Sequence, residues 1–78
     1  MSTAIAVTLD LKGLSCPIPI VKTAKTIKEL QLGELIEALA TDPGSVADFA
    51  AWSRSTGNEL VEQSEQDGVY RFVIRKTR

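Results

Sequence analysis

The stretch IAVTLDLKGLSCPIPIVKTAKTI, residues 5–27, decides the fold because its hydrophobic period changes once. In its first part apolar side chains alternate with polar or small ones, and this period of two predicts a strand with one buried face. Gly13 ends that pattern, and beyond it the apolar residues recur at three- and four-residue steps, which predicts an amphipathic helix. The apolar positions of this helix are Ile20, Val21, Ala24 and Ile27, with Lys22 and Lys25 on the opposite side.

The segment that follows predicts the end of this helix and a second strand. Leu32-Gly33 is expected to end the helix, because glycine suits the left-handed position that follows a helix. Residues 35–40 form a short apolar run that predicts a strand. Since a helix connects the two strands, they are expected to run parallel with a right-handed crossover.

A second helix is predicted after a turn at residues 41–44. Ser45 and Asp48 match the S-x-x-D pattern of a capping box at the start of this helix, and Gly57 is expected to end it. The aromatic side chains of this helix, Phe49 and Trp52, lie at helical spacing and are expected to pack in the core. Asp42 is interpreted as a turn residue.

Two further strands complete the predicted fold. They span residues 60–64 and 69–74, and Asp67-Gly68 between them favours a type I′ hairpin turn. The order is then β-α-β-α-β-β, and each helix has one apolar stripe. The predicted fold class is therefore α/β, an α+β two-layer sandwich with a four-stranded mixed sheet and two helices on one face. The other face of the sheet would look to solvent or to a partner.

One domain is expected over residues 1–78, with its core at about residues 5–76. The tail from Lys76 to Arg78 is expected to fray. The N-terminus has no signal-peptide pattern and the chain has no apolar run of membrane-spanning length, so a cytoplasmic location is expected.

The composition excludes several kinds of chemistry. The chain of 78 residues has nine Lys and Arg against ten Asp and Glu, a net charge of −1 that argues against a nucleic-acid-binding surface. It has no His and one Cys, Cys16, so Cys-His and Ser-His catalysis, an intramolecular disulfide and a Cys-rich zinc site are all excluded within one chain. No cofactor and no metal are expected.

Cys16 lies between the first strand and the first helix, at an edge where α/β proteins tend to have their sites. Pro17 suits the first helical position, which makes Cys16 the expected N-cap residue, and Pro19 falls in the same turn. The residue before a proline avoids helical geometry, so the helix could equally start at Pro19. Gly13 is expected to let the loop approach the helix start closely.

The position of Cys16 has an electrostatic consequence. The positive end of a helix lowers the pKa of a thiol from ~8.5 toward ~3.5–7.5. The two prolines remove amide donors and leave the N–H of Ile18 as the main one, so a modest lowering is expected, to which Lys12 and Lys22 would add. This predicts a nucleophilic, partly exposed cysteine, but on the residues alone a buried and inert cysteine is about equally supported.

The segments LDLKGLSCPIPIVKTAKTIKEL, from Leu9, and GELIEALATDPGSVADFAAWSRSTGNEL, from Gly33, resemble the TusA family of small sulfur carriers, also called SirA-like. The family pattern is a strand, a Gly-Leu-x-Cys-Pro-x-Pro segment, a helix and a later Asp-Pro turn. The likeness runs from about Leu9 to Lys76. Lys12 stands where arginine is common, which keeps the charge and loses the bidentate fork.

The resemblance implies the same β-α-β-α-β-β fold and a function. Cys16 would accept sulfane sulfur as a persulfide from a cysteine desulfurase or a rhodanese-type donor. It would hand the sulfur to an acceptor protein with a reactive cysteine, in tRNA thiolation, cofactor synthesis or sulfur oxidation. The motif residues that would support the helix start are Gly13, Leu14, Pro17 and Pro19. The candidates for electrostatic support or partner docking are Lys12, Lys22 and Lys25.

Other functions stay open at this point. A non-catalytic protein-binding module could use the open sheet face. A thiol redox switch is disfavoured because the chain has no second cysteine to resolve a disulfide. Direct RNA binding by the stripe of Lys22, Lys25 and Lys28 ranks last, since the total charge is acidic. The protein is expected to be a monomer that changes protein partners and binds neither nucleic acid nor a membrane.

Overall fold

A computed structural model of the chain describes residues 5–15 and 17–77, and Cys16 lies outside the described residues. The elements are β1 (Ile5–Leu11), α1 (Ile18–Ile27), β2 (Leu35–Ala40), α2 (Ser45–Thr56), β3 (Glu59–Gln66) and β4 (Val69–Arg75). The predicted element order and fold class are confirmed. No helix within the two described ranges is long and apolar enough to cross a bilayer.

The four strands form one mixed sheet in the order β1-β2-β4-β3. β1 pairs with β2 in parallel, ending on the pair Leu11 and Ala40, while β4 pairs antiparallel with both β2 and β3. The predicted hairpin is confirmed, because Asp67 and Gly68 both have positive φ, at 54° and 80°. Because β1 and β2 are parallel, the chain leaves both strands at the same edge of the sheet, next to the starts of both helices.

The core lies between the helices and one face of the two central strands. Ile36 and Ile74 are fully buried, and Phe49 of α2 stacks on Phe72 of β4 with ring centroids 4.3 Å apart. Trp52 meets Phe49 edge to face at 6.4 Å, so the predicted core role of both α2 aromatic residues is confirmed.

The face of α1 that packs on the sheet differs from the predicted one. Its buried residues are Pro19, Thr23 and Ile27, and Val21 is 57% exposed. Thr23 is accepted in the core because its hydroxyl donates to the carbonyl of Pro19 at 2.8 Å, which leaves its methyl group for packing. The assignment of Val21 to the buried stripe was therefore wrong.

The end of α1 also differs from the prediction. The helix ends at Ile27, and the N–H of Leu30 donates to the carbonyl of Ile27 in a turn. Gly33 does have left-handed geometry, with φ of 90°, but its N–H donates to the carbonyl of Lys76 at 2.7 Å. Gly33 thus begins the approach to β2 and does not cap the helix.

The expected fraying of the C-terminus is wrong for the part that is described. The N–H of Lys76 donates to the carbonyl of Glu34, and its ammonium group donates to the carbonyl of Leu30 at 2.7 Å. The N–H of Thr77 donates to Asn58 Oδ1 at 2.9 Å. These bonds prolong the pairing of β4 beyond its last strand residue, and Arg78 lies outside the described residues.

The capping box predicted for α2 is absent. Gly44 is the N-cap residue, and Ser45 is the first helical residue, 1% exposed, with no hydrogen-bond partner for its hydroxyl among the described residues. The turn is organised by Asp42 instead, whose carboxylate accepts the N–H of Gly44 at 3.1 Å and whose carbonyl accepts the N–H of Ser45. The interpretation of Asp42 as a turn residue is confirmed, as is the end of α2 at Gly57, where φ is 83°.

Four polar side chains cross the open face of the sheet and link all its strands. Glu37 of β2 accepts hydrogen bonds from Arg71 Nε of β4 and from the hydroxyl of Thr8 of β1, and Arg71 also donates to Glu62 of β3. We call these four residues the ion belt. Val73 lies on the same face, opposite Glu37 and Glu62 in register, and is 2% exposed. Hydrogen-bonded polar side chains of the protein itself thus cross the open face from β1 to β3.

The ion belt makes stability depend on pH. The Arg71 guanidinium first, and the Thr8 hydroxyl second, hold the pKa of Glu37 below its usual value of 4.5. The native state then binds the proton less readily than the unfolded chain, so the stabilisation is complete above that value and is lost as the pH falls through the lower native pKa. We expect Glu37→Gln to lower the free energy of unfolding by about 1 kcal/mol at neutral pH. This magnitude is typical of a charge-assisted hydrogen bond whose partners are partly exposed, as Glu37 and Arg71 are.

Urea unfolding of wild type and Glu37→Gln at neutral and at strongly acidic pH measures this difference. The two proteins should converge in acid. Glu65→Gln, on exposed β3 and outside the ion belt, is the matched control and should change stability little at either pH. A constant difference between wild type and Glu37→Gln at both pH values would contradict the prediction.

Candidate functional site

The loop that contains Cys16 leaves the parallel edge of the sheet. It begins after Leu11, which is buried against Ala40 at the end of β2, and leads into α1. Leu14 is partly buried and packs against the core, so the middle of the loop is anchored on its apolar side. Lys12, Ser15 and Pro17, in contrast, are exposed. The described neighbours of Cys16 in the chain therefore lie at the surface.

Gly13 turns the chain out of β1. Its φ of 82° belongs to the left-handed region, and a Cβ built at this position would have no atom within 4 Å. The expectation that this glycine allows a close approach to the helix start is wrong. Glycine is favoured here because of the left-handed backbone conformation, since a side chain would meet no neighbouring atom. The N–H of Gly13 donates to Thr41 Oγ1 at 2.9 Å, and the N–H of Leu14 donates to the carbonyl of Leu11.

A second turn closes the loop on the helix side. The N–H of Ile18 donates to the carbonyl of Ser15 at 2.9 Å, across position 16 of the chain. Pro17, with φ −98° and ψ 15°, is the N-cap residue of α1, and Pro19 is its second residue. The helix thus begins at Ile18, between the two starts that the sequence left open at Pro17 and Pro19, and the N-cap position that the first of them gave to Cys16 belongs to Pro17.

This geometry changes the expected electrostatics. The N–H of Ile18 was predicted to be the main donor available to the sulfur, but the carbonyl of Ser15 accepts it. Cys16 itself lies outside the described residues, so its expected exposure and the expected direction of its pKa stay predictions. The electrostatic stabilisation of an anion on the loop would then come from the positive end of α1 as a whole and from the lysines of the loop and of α1.

The lysines predicted for the site are all exposed. Lys12 is on the loop, and Lys22 and Lys25 are on the outer face of α1. In the described part of the chain the ion pairs all involve the two arginines of β4, so no carboxylate is paired with these lysines. Their charge is available to a partner.

The structure adds two apolar residues that the sequence reasoning did not assign to the site. Ile18 is 44% exposed and Val21 is 57% exposed, one turn apart at the start of α1 and beside Lys22. The spacing of Pro19, Thr23 and Ile27 was the signal that could have revealed this, since residues four apart share a helix face. We call Ile18, Val21, Lys22 and Lys25 the α1 surface.

Within residues 5–15 and 17–77 no group of His, Cys, Asp or Glu side chains could hold a metal ion. A cavity of about 250 Å³ lies at the far end of α1, against Trp52 and Asn58. Among its polar lining groups, Asn58 Nδ2 donates to Thr56 Oγ1 and Lys76 Nζ donates to the carbonyl of Leu30. None of its lining residues belongs to the loop between β1 and α1.

Residues 7–76 match the family described as Sulfurtransferase TusA. The chain is 46% identical over 69 residues to the sulfur carrier protein TusA of Allochromatium vinosum, covering 88% of this chain and 91% of that protein. It is 53% identical over 72 residues to a protein of Halobacterium salinarum named as a candidate sulfur carrier, covering 91% and 89% of the two chains. The crystal structure of a SirA-like protein from Desulfitobacterium hafniense matches with a TM-score of 0.81 at 27% identity, covering 92% of this chain and 99% of that one.

The left-handed geometry at Gly13 gives a test of the loop. Gly13→Ala should lower the free energy of unfolding by roughly 1–2 kcal/mol, because an L-residue is strained at this φ although its Cβ meets no atom. Gly13→Asn should cost less, since asparagine tolerates this conformation. Chemical denaturation of both variants measures the difference, with Gly44→Ala as the control at an ordinary negative φ of −66°. Equal losses for Ala and Asn at position 13 would refute the explanation.

Proposed function

Because the chain belongs to the TusA sulfurtransferase family, we propose that it carries sulfane sulfur as a persulfide on Cys16. The observation that carries the proposal is the match over residues 7–76, within which Cys16 is the chain's only cysteine. It is supported by the loop, which is anchored by Leu14 and closed by hydrogen bonds on both sides of position 16. The two relatives are named as a sulfur carrier and as a candidate sulfur carrier.

The proposed reaction is a transfer between two thiolates. The Cys16 thiolate attacks the terminal sulfur of a donor persulfide, a new S–S bond forms on Cys16, and the donor's S–S bond breaks. The electron pair of the broken bond leaves with the donor's inner sulfur as a thiolate. A cysteine thiolate of the acceptor then attacks the outer sulfur on Cys16 and releases the Cys16 thiolate. No net oxidation or reduction occurs in either step, and no external oxidant is required.

This chemistry agrees with the composition of the chain. A thiolate needs no general base at the moment of attack, so the absence of histidine is no obstacle. The residues that would act around the sulfur are those of the motif. Gly13 and Leu14 set the path of the loop, and Pro17 and Pro19 stiffen the entry to α1.

Donor and acceptor would dock on the α1 surface. Ile18 and Val21 offer apolar area close to position 16 in the chain, and Lys22 and Lys25 surround it with unpaired positive charge; Lys12 extends this charge on the loop. The complementary partner is a protein with an apolar patch and acidic rim next to its own reactive cysteine, such as a cysteine desulfurase, a rhodanese-type donor or a thiol acceptor.

The alternative, a binding module without chemistry, was based on an open sheet face. That face carries the ion belt, in which Glu37 and Arg71 already satisfy each other, and Val73 is covered. A partner docking there would have to break charged hydrogen bonds. No observation therefore favours this alternative, and the role of Cys16 separates the two functions experimentally.

The persulfide can be detected directly. After incubation with a cysteine desulfurase and L-cysteine, wild type should gain about 32 Da on Cys16, one sulfur atom as a persulfide. Cys16→Ser should gain nothing, yet keep its unfolding transition, because serine differs from cysteine by a single atom and both chain neighbours of this position are exposed. Intact-protein mass spectrometry with peptide mapping checks both. Absence of the added sulfur on wild type with competent donors, or biological activity retained by Cys16→Ser, would overturn the proposal.

The docking role of the α1 surface has its own test. Val21→Ser and Lys22→Glu should each weaken binding to a desulfurase, by about tenfold for the apolar residue, since exposed anchors at an interface centre cost about 1–2 kcal/mol. Lys22→Glu should also reduce the salt dependence of the association rate. Arg54→Glu, an equal charge change at an exposed residue of α2, is the control. Surface plasmon resonance measures the binding, and equal effects at Lys22 and Arg54 would contradict a localised surface.

A further inference from the structure

The end of β2 holds the loop of Cys16 through a side chain. The last backbone pair of the parallel strands is Leu11 with Ala40, and two residues beyond the end of β1 the N–H of Gly13 donates to Thr41 Oγ1 at 2.9 Å. The hydroxyl of Thr41 thus takes the place of a backbone carbonyl beyond the end of the strand pair. It joins two segments that are 28 residues apart in sequence.

Thr41 is itself well supported. Ala40 before it is fully buried, and Asp42 after it organises the start of α2 by accepting the N–H groups of Gly44 and Ser45. Ser45, at the end of this turn, is 1% exposed. The residues before and after Thr41 are therefore both held in place by the fold. The residue that its hydroxyl binds, Gly13, has left-handed backbone geometry.

We infer that Thr41 is a positioning residue for Cys16, an inference that rests on the proposed function. At the strand end of the loop the N–H of Gly13 donates to Thr41 and the N–H of Leu14 donates to the carbonyl of Leu11, and at the helix end the N–H of Ile18 donates to the carbonyl of Ser15. The bonds to Leu11 and Ser15 are local in sequence. The bond to Thr41 is the one of the three that reaches the end of β2, so we expect it to set the path of the loop that leads to Cys16.

Two substitutions at Thr41 separate the hydrogen-bond acceptor from the shape of the side chain. Thr41→Val keeps the shape of the side chain and removes the acceptor, and Thr41→Ser keeps the acceptor. Thr8→Val is the matched control, because it is the same substitution on the same sheet and removes a hydrogen bond of equal length, 2.9 Å, to Glu37. Both valine variants should lose similar stability, which separates positioning from a general loss of folding.

The first measurement needs no sulfur donor. The rate of Cys16 alkylation by iodoacetamide is followed against pH for wild type and the three variants. In Thr41→Val we expect the midpoint to move up toward that of an ordinary thiol, about 8.5, and the rate at neutral pH to fall about two- to fivefold. The charged residues on the adjoining segments are Asp10, Lys12, Lys22 and Asp42, and all are kept in every variant. Thr41→Ser should restore both values, and Thr8→Val should match wild type.

The second measurement is sulfur transfer from a desulfurase. Thr41→Val should lower kcat about two- to fivefold and leave KM for the donor unchanged, because the α1 surface is intact. If wild type accepts no sulfur, the proposed function fails, and the alkylation profile still decides the role of Thr41. If wild type accepts sulfur and Thr41→Val equals it in both assays, or if Thr8→Val shows the same losses, the positioning role is refuted.

Discussion

The parallel pairing of β1 with β2 is the constraint on which the rest of the molecule depends. A parallel pair needs a crossover, and α1 supplies it, so both strands end at one edge and both helices start there. The pairing is maintained because β2 is central in the sheet, with Ile36, Ala38 and Ala40 fully buried under the helices. The loop of Cys16 and the turn at Thr41 are neighbours for this reason alone.

The positively charged side chains on the two sides of the sheet differ in whether they form ion pairs. On the open face Arg71 and Arg75 are both paired with glutamates, so the positive charges there are neutralised within the protein. On the helix side Lys22 and Lys25 have no such partners among the described residues. The net charge of −1 hides this separation. A nearly neutral protein can therefore present a positive surface on α1, which would suit the proposed carrier function.

The sequence predicted the elements well where a pattern is local. The Asp67-Gly68 hairpin, the end of α2 at Gly57 and the strand at residues 35–40 all follow from backbone preferences of neighbouring residues, and all are confirmed. The capping box at Ser45 was wrong although its pattern was present, because the carbonyls of Asp42 and Gly44 accept the N–H groups of Ser45 and Asp48 that the box would use, and Ser45 is buried. A local pattern fails when a nearby group competes for the same amides.

For the candidate site the sequence alone determined the chemistry: a single thiol, no imidazole, and two prolines that stiffen the segment after it. Tertiary structure decided what surrounds that segment. Whether Val21 faces the core or the solvent depends on how α1 lies on the sheet, and Thr41 meets Gly13 only because two strands end side by side. Contacts between residues far apart in the chain depend on the packing of whole elements, and a residue's own neighbours in sequence do not encode them.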